Sequence, residues 1–156
     1  MRKSISNATH PAIVSKNEQW LNLEQIAQVE ITSENPEHPI EQALLPNKQL
    51  GWYAAQAGEQ IIRLIFDQPQ RINHIAVHFI EAQVERTQEF VLRWSSDKGK
   101  TFHEIVRQQW NFNPASTQEL ENYQVELANV TILELVICPD IKGGQVYASL
   151  QKLQLA

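Results

Sequence analysis

Apolar residues in the second half of this chain recur at every second position. Ile62, Leu64 and Phe66 share one side of an extended segment, as do Ile75, Val77 and Phe79, then Phe90, Leu92 and Trp94. Tyr123, Val125 and Leu127 alternate with Gln124 and Glu126, and Leu133, Leu135 and Ile137 continue the pattern. A two-residue period belongs to strands with one packed face and one solvated face. It predicts strands over Gln60–Phe66, Arg71–Ile80, Glu89–Ser95, Thr101–Gln108, Asn122–Leu127, Thr131–Cys138 and Tyr147–Leu155, preceded by one at Ile26–Thr32. In the last strand Leu150 is followed by Leu153 and Leu155, out of step, which predicts a β-bulge around Gln151-Lys152.

The connections divide into two sets. Asp67–Gln70, Ser96–Lys100 and Ala128–Val130 are short, whereas 33–59, 81–88, 109–121 and 139–146 are long. If consecutive strands run antiparallel, the long set emerges at one end, where rigid strands hold variable loops. Asp97-Lys98-Gly99-Lys100 has the glycine of a tight hairpin. All seven prolines fall outside the predicted strand interiors, where a missing N–H would break a ladder. Ile40–Leu45 predicts a helical turn ended by Pro46-Asn47. Around Trp20–Leu23, Ile26 and Val29 periodicity does not decide between a short helix and a first strand. Residues 1–25 read as a lead-in that packs on or precedes a domain spanning 26–156. The fold class is all-β: an eight-stranded antiparallel jelly-roll sandwich with a short helical turn after the first strand.

Length and composition bound the rest. At 156 residues, with 42% hydrophobic and 20% charged content, the chain fits a single globular domain. Thirteen basic against 18 acidic residues, a net charge of −5, argue against a phosphate-tracking surface and so against nucleic acid as a partner. The single cysteine, Cys138, excludes an intramolecular disulfide, and its apolar setting predicts an inert thiol. No segment reaches membrane-spanning length, and residues 4–17 lack the continuous apolar run of a secretion signal. The expected location is the cytoplasm.

Particular segments then point to a family. Val29-Glu30-Ile31-Thr32-Ser33-Glu34, Gly51-Trp52, and Gly58-Glu59-Gln60 leading into Ile61–Phe66 occur in that order, followed by Ile72–Phe79. Glu89–Trp94 runs into Ser95-Ser96-Asp97 and Gly99-Lys100-Thr101-Phe102, and Leu133–Ile137 and Ser149–Leu155 close the chain. With these pieces, residues 26–156 resemble the discoidin, or coagulation factor V/VIII type C, domain family of galactose-binding-like jelly rolls. The resemblance implies a mostly non-catalytic domain that binds sugars, lipid headgroups or proteins through loops at one end. It also implies Trp52 as a core residue. Many relatives carry Asp-Gly near a structural calcium site, whereas this chain has Leu45-Pro46-Asn47, and 40–58 holds Glu41 as its single carboxylate. Calcium prefers clustered carboxylates, so no cofactor is expected. Where relatives often have an arginine in the seventh strand, this chain has Glu134, Leu135 and Val136.

The ligand-contact candidates are drawn from the long connections. Trp110, Asn111, Phe112 and Asn113 interleave aromatic faces with planar amides, which is what a pyranose ring and its hydroxyls require. The plainer reading makes Trp110 and Phe112 a plug for the open end of the sandwich. Arg86 offers a guanidinium fork for paired hydroxyls, against a salt bridge to Glu81 or Glu89, which is favoured. His38 and Asp140 complete the set, each with an ordinary solvated loop as its alternative; Tyr53 lies near the same end. His74, His78 and His103 suggest zinc. A spacing of four along a strand, however, separates side chains by about 13 Å, and a solvated outer face is the better account.

No nucleophile elbow, phosphate loop, dinucleotide fingerprint or metal-ligand helix is present, and the carboxylates are scattered, so no catalytic residue is nominated. The sequence thus predicts a non-catalytic binding module that holds a carbohydrate or other small polar ligand at its long-loop end. The alternative is a protein-interaction or assembly domain with no sugar ligand.

Overall fold

The computed structural model describes residues 19–156. Residues 1–18 of the expected 1–25 lead-in lie outside the described residues. Eight strands run β1 (Ala27–Ile31), β2 (Trp52–Ala57), β3 (Gln60–Ile80), β4 (Arg86–Ser95), β5 (His103–Phe112), β6 (Gln118–Cys138), β7 (Tyr147–Leu150) and β8 (Lys152–Leu155). One network has the order β1-β3-β6-β4-β5 with β8 also on β3, and β2 and β7 form a second, two-stranded sheet. Every named pairing is antiparallel. The jelly-roll sandwich is therefore present. Single helical turns occur at Leu23–Ile26 and, after β1, at Glu41–Leu44. Among the described residues no helix is long and apolar enough to cross a membrane.

Two expected turns are not turns. The chain passes through Asp67–Gln70 and Ala128–Val130 without reversing its pairing, so four predicted strands merge into the 21-residue strands β3 and β6. These pair along their whole lengths, with register slips between Ile65 and Gln70, Gln70 and Ile72, and Ile72 and His74. Pro69 falls where the ladder is already interrupted, so its missing N–H breaks nothing. The slips let the ribbon fold over, bringing its second half against the layer that contains β4. Phe79 on β3 meets Phe90 on β4 with ring centroids 5.2 Å apart, and Gln88 Nε2 on β4 donates to Glu119 Oε1 on β6 at 3.3 Å.

The inward set of the alternation makes the core. Trp52, Ile62, Leu64, Ile75, Phe79, Phe90, Phe112, Leu135 and Ile137 are fully buried. The out-of-step final segment divides at Gln151 into β7 and β8, and the Gln151 N–H bonds instead to His78 O at 2.9 Å. The lead-in is joined to the domain from Leu21, whose N–H donates to Leu155 O at 2.7 Å, and Leu23 is buried.

On the outer face of the first layer, Glu134 is fully buried between Arg63 and Arg93. These are its register partners on β3 and β4, and the Arg93 Nε bond measures 2.5 Å. The short end is closed by the 95–101 turn. There Asp97 accepts from Ser95 Oγ at 2.6 Å and from Thr101 Oγ1 at 2.6 Å. Those bonds, with the Thr101 and Lys100 N–H groups, hold its carboxyl well below the usual carboxylate range.

Candidate functional site

The long connections do meet at one end, although β2, β4, β5 and β6 take up part of them. Glu81 N–H bonds to Thr117 O at 2.8 Å, Ile141 N–H to Thr87 O at 2.8 Å and Gly58 N–H to Val146 O at 2.9 Å. Between the 33–51, 81–85 and 139–146 segments lies a cleft of about 560 Å³ that reaches from Asn35 and Tyr53 across Val84 to Tyr147. Seven large apolar side chains are exposed among the described residues: Leu50, Tyr53, Ile80, Val84, Leu120, Ile141 and Tyr147. Four of them, Tyr53, Ile80, Val84 and Tyr147, line this one cleft. Exposed apolar side chains gathered in one concave place mark an interaction site rather than scatter.

Tyr53 is held rigidly. Its N–H donates to His38 O at 3.2 Å, and its carbonyl accepts from Asn35 N–H at 2.8 Å. The His38 ring stacks on the phenol ring, 3.9 Å between centroids and 11° from parallel. His38 Nδ1 faces two carbonyls, Leu50 O at 3.2 Å and Gly51 O at 3.3 Å. Carbonyls only accept, so Nδ1 carries the proton. The neighbouring Trp52 is turned the other way, with its Nε1 donating to Ser33 O at 3.1 Å.

Arg86 is the hub beneath the rim. Its Nε donates to Glu81 Oε1 at 2.8 Å, and its Nη1 donates to Gln88 Oε1 at 3.0 Å and Pro139 O at 2.9 Å. Glu81 Oε2 in turn accepts from the N–H groups of Gln83 at 3.1 Å and Val84 at 3.2 Å. One buried cation thus fixes both the 81–85 loop and the start of the 139–146 loop. The favoured salt bridge to Glu81 is the one that forms.

None of the seven ligand-contact candidates lines the cleft. Phe112 is fully buried at the end of β5 and Arg86 is sealed beneath the loops, so neither presents a surface to ligand. Trp110 is half-buried on β5, and its Nε1 is buried without a hydrogen-bond partner among the described residues. Asn111 accepts from Thr87 Oγ1 at 3.2 Å. Asn113 closes a turn, accepting the Ala115 N–H at its Oδ1 at 2.9 Å, and Asp140 accepts the Lys142 N–H at 3.1 Å. His38 alone reaches the site, by supporting Tyr53.

Of the three histidines, His74 Nε2 pairs with Asn122 Oδ1 at 2.9 Å, while the Trp20 ring lies 5.1 Å from its own. His74 is therefore buried rather than solvated. His78 pairs with Gln118 at 3.0 Å and His103 packs beside Trp94. Among the described residues no three His, Cys, Asp or Glu side chains gather as metal ligands. In the segment where the resemblance places calcium, Glu41 stands exposed on its helical turn. Cys138 is half-buried, and burial pushes its thiol up, away from the reactive thiolate.

Sequence periodicity missed Ile80, Val84 and Tyr147 because each sits just beyond the regular alternation. The available signal was the breach itself: Phe79-Ile80 is an adjacent apolar pair at a strand end, and Tyr147 follows a Gly-Gly bend.

Neither a family model nor a curated protein matches the sequence. Solved structures do match the fold. A family 32 carbohydrate-binding module of NanJ from Clostridium perfringens, in complex with galactose, aligns with a TM-score of 0.64 at 11% identity, over 87% of this chain and 96% of that one. A second C. perfringens module, in complex with GalNAc-β-1,3-galactose, gives 0.62 at 19% identity, over 88% and 99%. The family 32 module of AlyQ, in complex with 4,5-unsaturated mannuronic acid, gives 0.64 at 14%, over 89% and 98%. The chain shares the jelly-roll sandwich fold with these modules.

Proposed function

We propose that this chain is a non-catalytic carbohydrate-binding module whose loop-end cleft holds a sugar. The observation that carries the reading is the convergence of Tyr53, Ile80, Val84 and Tyr147 in one cleft, next to the amide side chains of Asn35, Gln83 and Gln145. A sugar ring presents an apolar C–H face, which stacks on an aromatic ring, and an equatorial fringe of hydroxyls, which pair with amides. His38 fixes the phenol ring of Tyr53 in place, so little side-chain entropy remains to be lost on binding. The fold neighbours whose ligands are sugars support the same reading, by analogy of fold alone.

The test is a glycan array followed by calorimetry with and without calcium. Binding is expected to persist without calcium, to fall in Tyr53→Ala and Tyr147→Ala, and to survive Trp110→Ala. A correctly folded protein that binds no glycan would defeat the proposal and favour a protein partner docking on the same apolar rim.

A further inference from the structure

The wall of the cleft carries no uncompensated charge, and this bears on which sugars it accepts. No lysine or arginine is among the described residues that line it. Its one acidic side chain is Glu81, and both oxygens are already engaged: Oε2 by the Gln83 and Val84 N–H groups, Oε1 by Arg86 Nε. Arg86, which balances it, is buried beneath the loop. The surrounding connections add Glu34, Glu37, Glu41, Glu59, Glu85 and Asp140 against Lys48 and Lys142. The mouth therefore sits in a negative field.

We propose that the cleft selects an uncharged sugar and excludes sugar acids. The inference rests on the carbohydrate reading above and narrows it. A uronate or sialate carboxylate would enter beside Glu81 with no cation to meet it, and would lose its hydration in a partly apolar cleft. Hydroxyls, which both donate and accept, match the amides of Gln83, Gln145 and Asn35 and the hydroxyl of Ser149. The fold does not impose this choice, since its neighbours have been captured with a neutral hexose and with an unsaturated uronic acid. The lining of this chain does.

The experiment titrates the whole chain with matched oligosaccharides that differ in one terminal residue, galactose against galacturonic acid, at low and at physiological salt. The neutral member is expected to bind about tenfold more tightly or better, the scale that follows when a carboxylate is desolvated without a counter-charge in a cleft bordered by surplus acidic groups. The gap should narrow as salt screens the rim. In Gln145→Lys, which places a cation at the exposed wall, the acid member should gain affinity and the neutral one should not. Equal or tighter binding of the acid by the unaltered protein overturns this inference alone. Failure of both members to bind overturns the carbohydrate reading and the inference with it.

Discussion

The guanidinium carbon of Arg86 lies 4.8 Å from the centroid of the Phe112 ring, and both side chains are sealed from solvent. The two are register partners on β4 and β5. Each had a second reading as a surface group, and burial supplies the reason they sit together. A desolvated guanidinium gains from an aromatic face; its Nε and Nη1 donors are spread over Glu81, Gln88 and Pro139, while Nη2 is buried without a hydrogen-bond partner among the described residues. Removing it strands the Glu81 carboxylate and frees two loops. Arg86→Ala is expected to cost about 3 kcal/mol or more in urea denaturation. Arg86→Lys should retain part of that, because an ammonium keeps the charge but not the planar fork. A loss below about 1 kcal/mol for Arg86→Ala would refute the hub.

Trp52 and Tyr53 are adjacent in sequence and opposite in role. Trp52 is fully buried and Tyr53 is 44% exposed in the cleft. Trp52→Ala is expected to cost about 3–5 kcal/mol of stability, as a large cavity does. Tyr53→Ala should change stability by less than about 1 kcal/mol and weaken sugar binding about tenfold, the scale of one lost aromatic contact. Thermal melts paired with calorimetry separate the two. If both substitutions act mainly on stability, Tyr53 is not a contact residue.

The strand alternation in the sequence is a record of burial, and burial is why the inward faces of β3, β4 and the second half of β6 could be read directly. What alternation does not encode is where a strand ends. Pro69 and the polar Asp67–Gln70 stretch look like a turn, yet the register slip beside them lets an unbroken strand bend instead. Strand β2 escaped detection because Trp52–Ala57 pairs with β7 at only three positions, with a register shift between Tyr53 and Ala57, and its run of small residues shows no period. The site was half legible. Parity of loop lengths pointed to the end where the cleft lies, although two of its short connections are strand, and Trp110–Asn113 lie away from the cleft because β5 extends through Phe112, so those aromatics follow the strand rather than the loop. Tyr147 and Val84 acquire meaning only when three distant loops meet.

Gly51 precedes Trp52 with φ at +75°, a conformation costly for any residue with a side chain. A Cβ there would lie 2.8 Å from Gln151 Oε1 and 3.1 Å from Leu150 O. The first neighbour is a flexible side-chain end, but the second is backbone of β7, the partner strand of β2. Gly51→Ala is therefore expected to lower stability by about 2 kcal/mol, and to loosen the carbonyls that hold His38 Nδ1. The check is urea denaturation together with the histidine ring resonances of His38. An unchanged midpoint would show that the turn relaxes without strain.

Glu119 sets a pH dependence. It is fully buried, and burial, with the neighbouring Glu121, pushes its carboxyl from the ordinary 4.5 up to about 8, against the pull of Gln88 and Arg86. In the folded protein it therefore keeps its proton through neutral pH, while the unfolded chain releases it near the ordinary value. The sign follows from linkage: the unfolded state binds fewer protons across this window, so stability falls as pH rises. The contribution is whole below about pH 4.5, declines by at most about 1.4 kcal/mol per unit, and is lost once pH passes about 8. Glu119→Gln preserves the shape and an oxygen to accept from Gln88 but has no proton to lose. It is expected to be more stable than the parent by about 2–4 kcal/mol at pH 8, with the difference shrinking toward pH 4.5. Denaturation curves at several pH values test this, because titrating groups beyond its coupled neighbour Glu121 cancel between the two proteins. Parallel stability profiles for parent and variant would mean that Glu119 ionises in the folded state as it does in the unfolded chain.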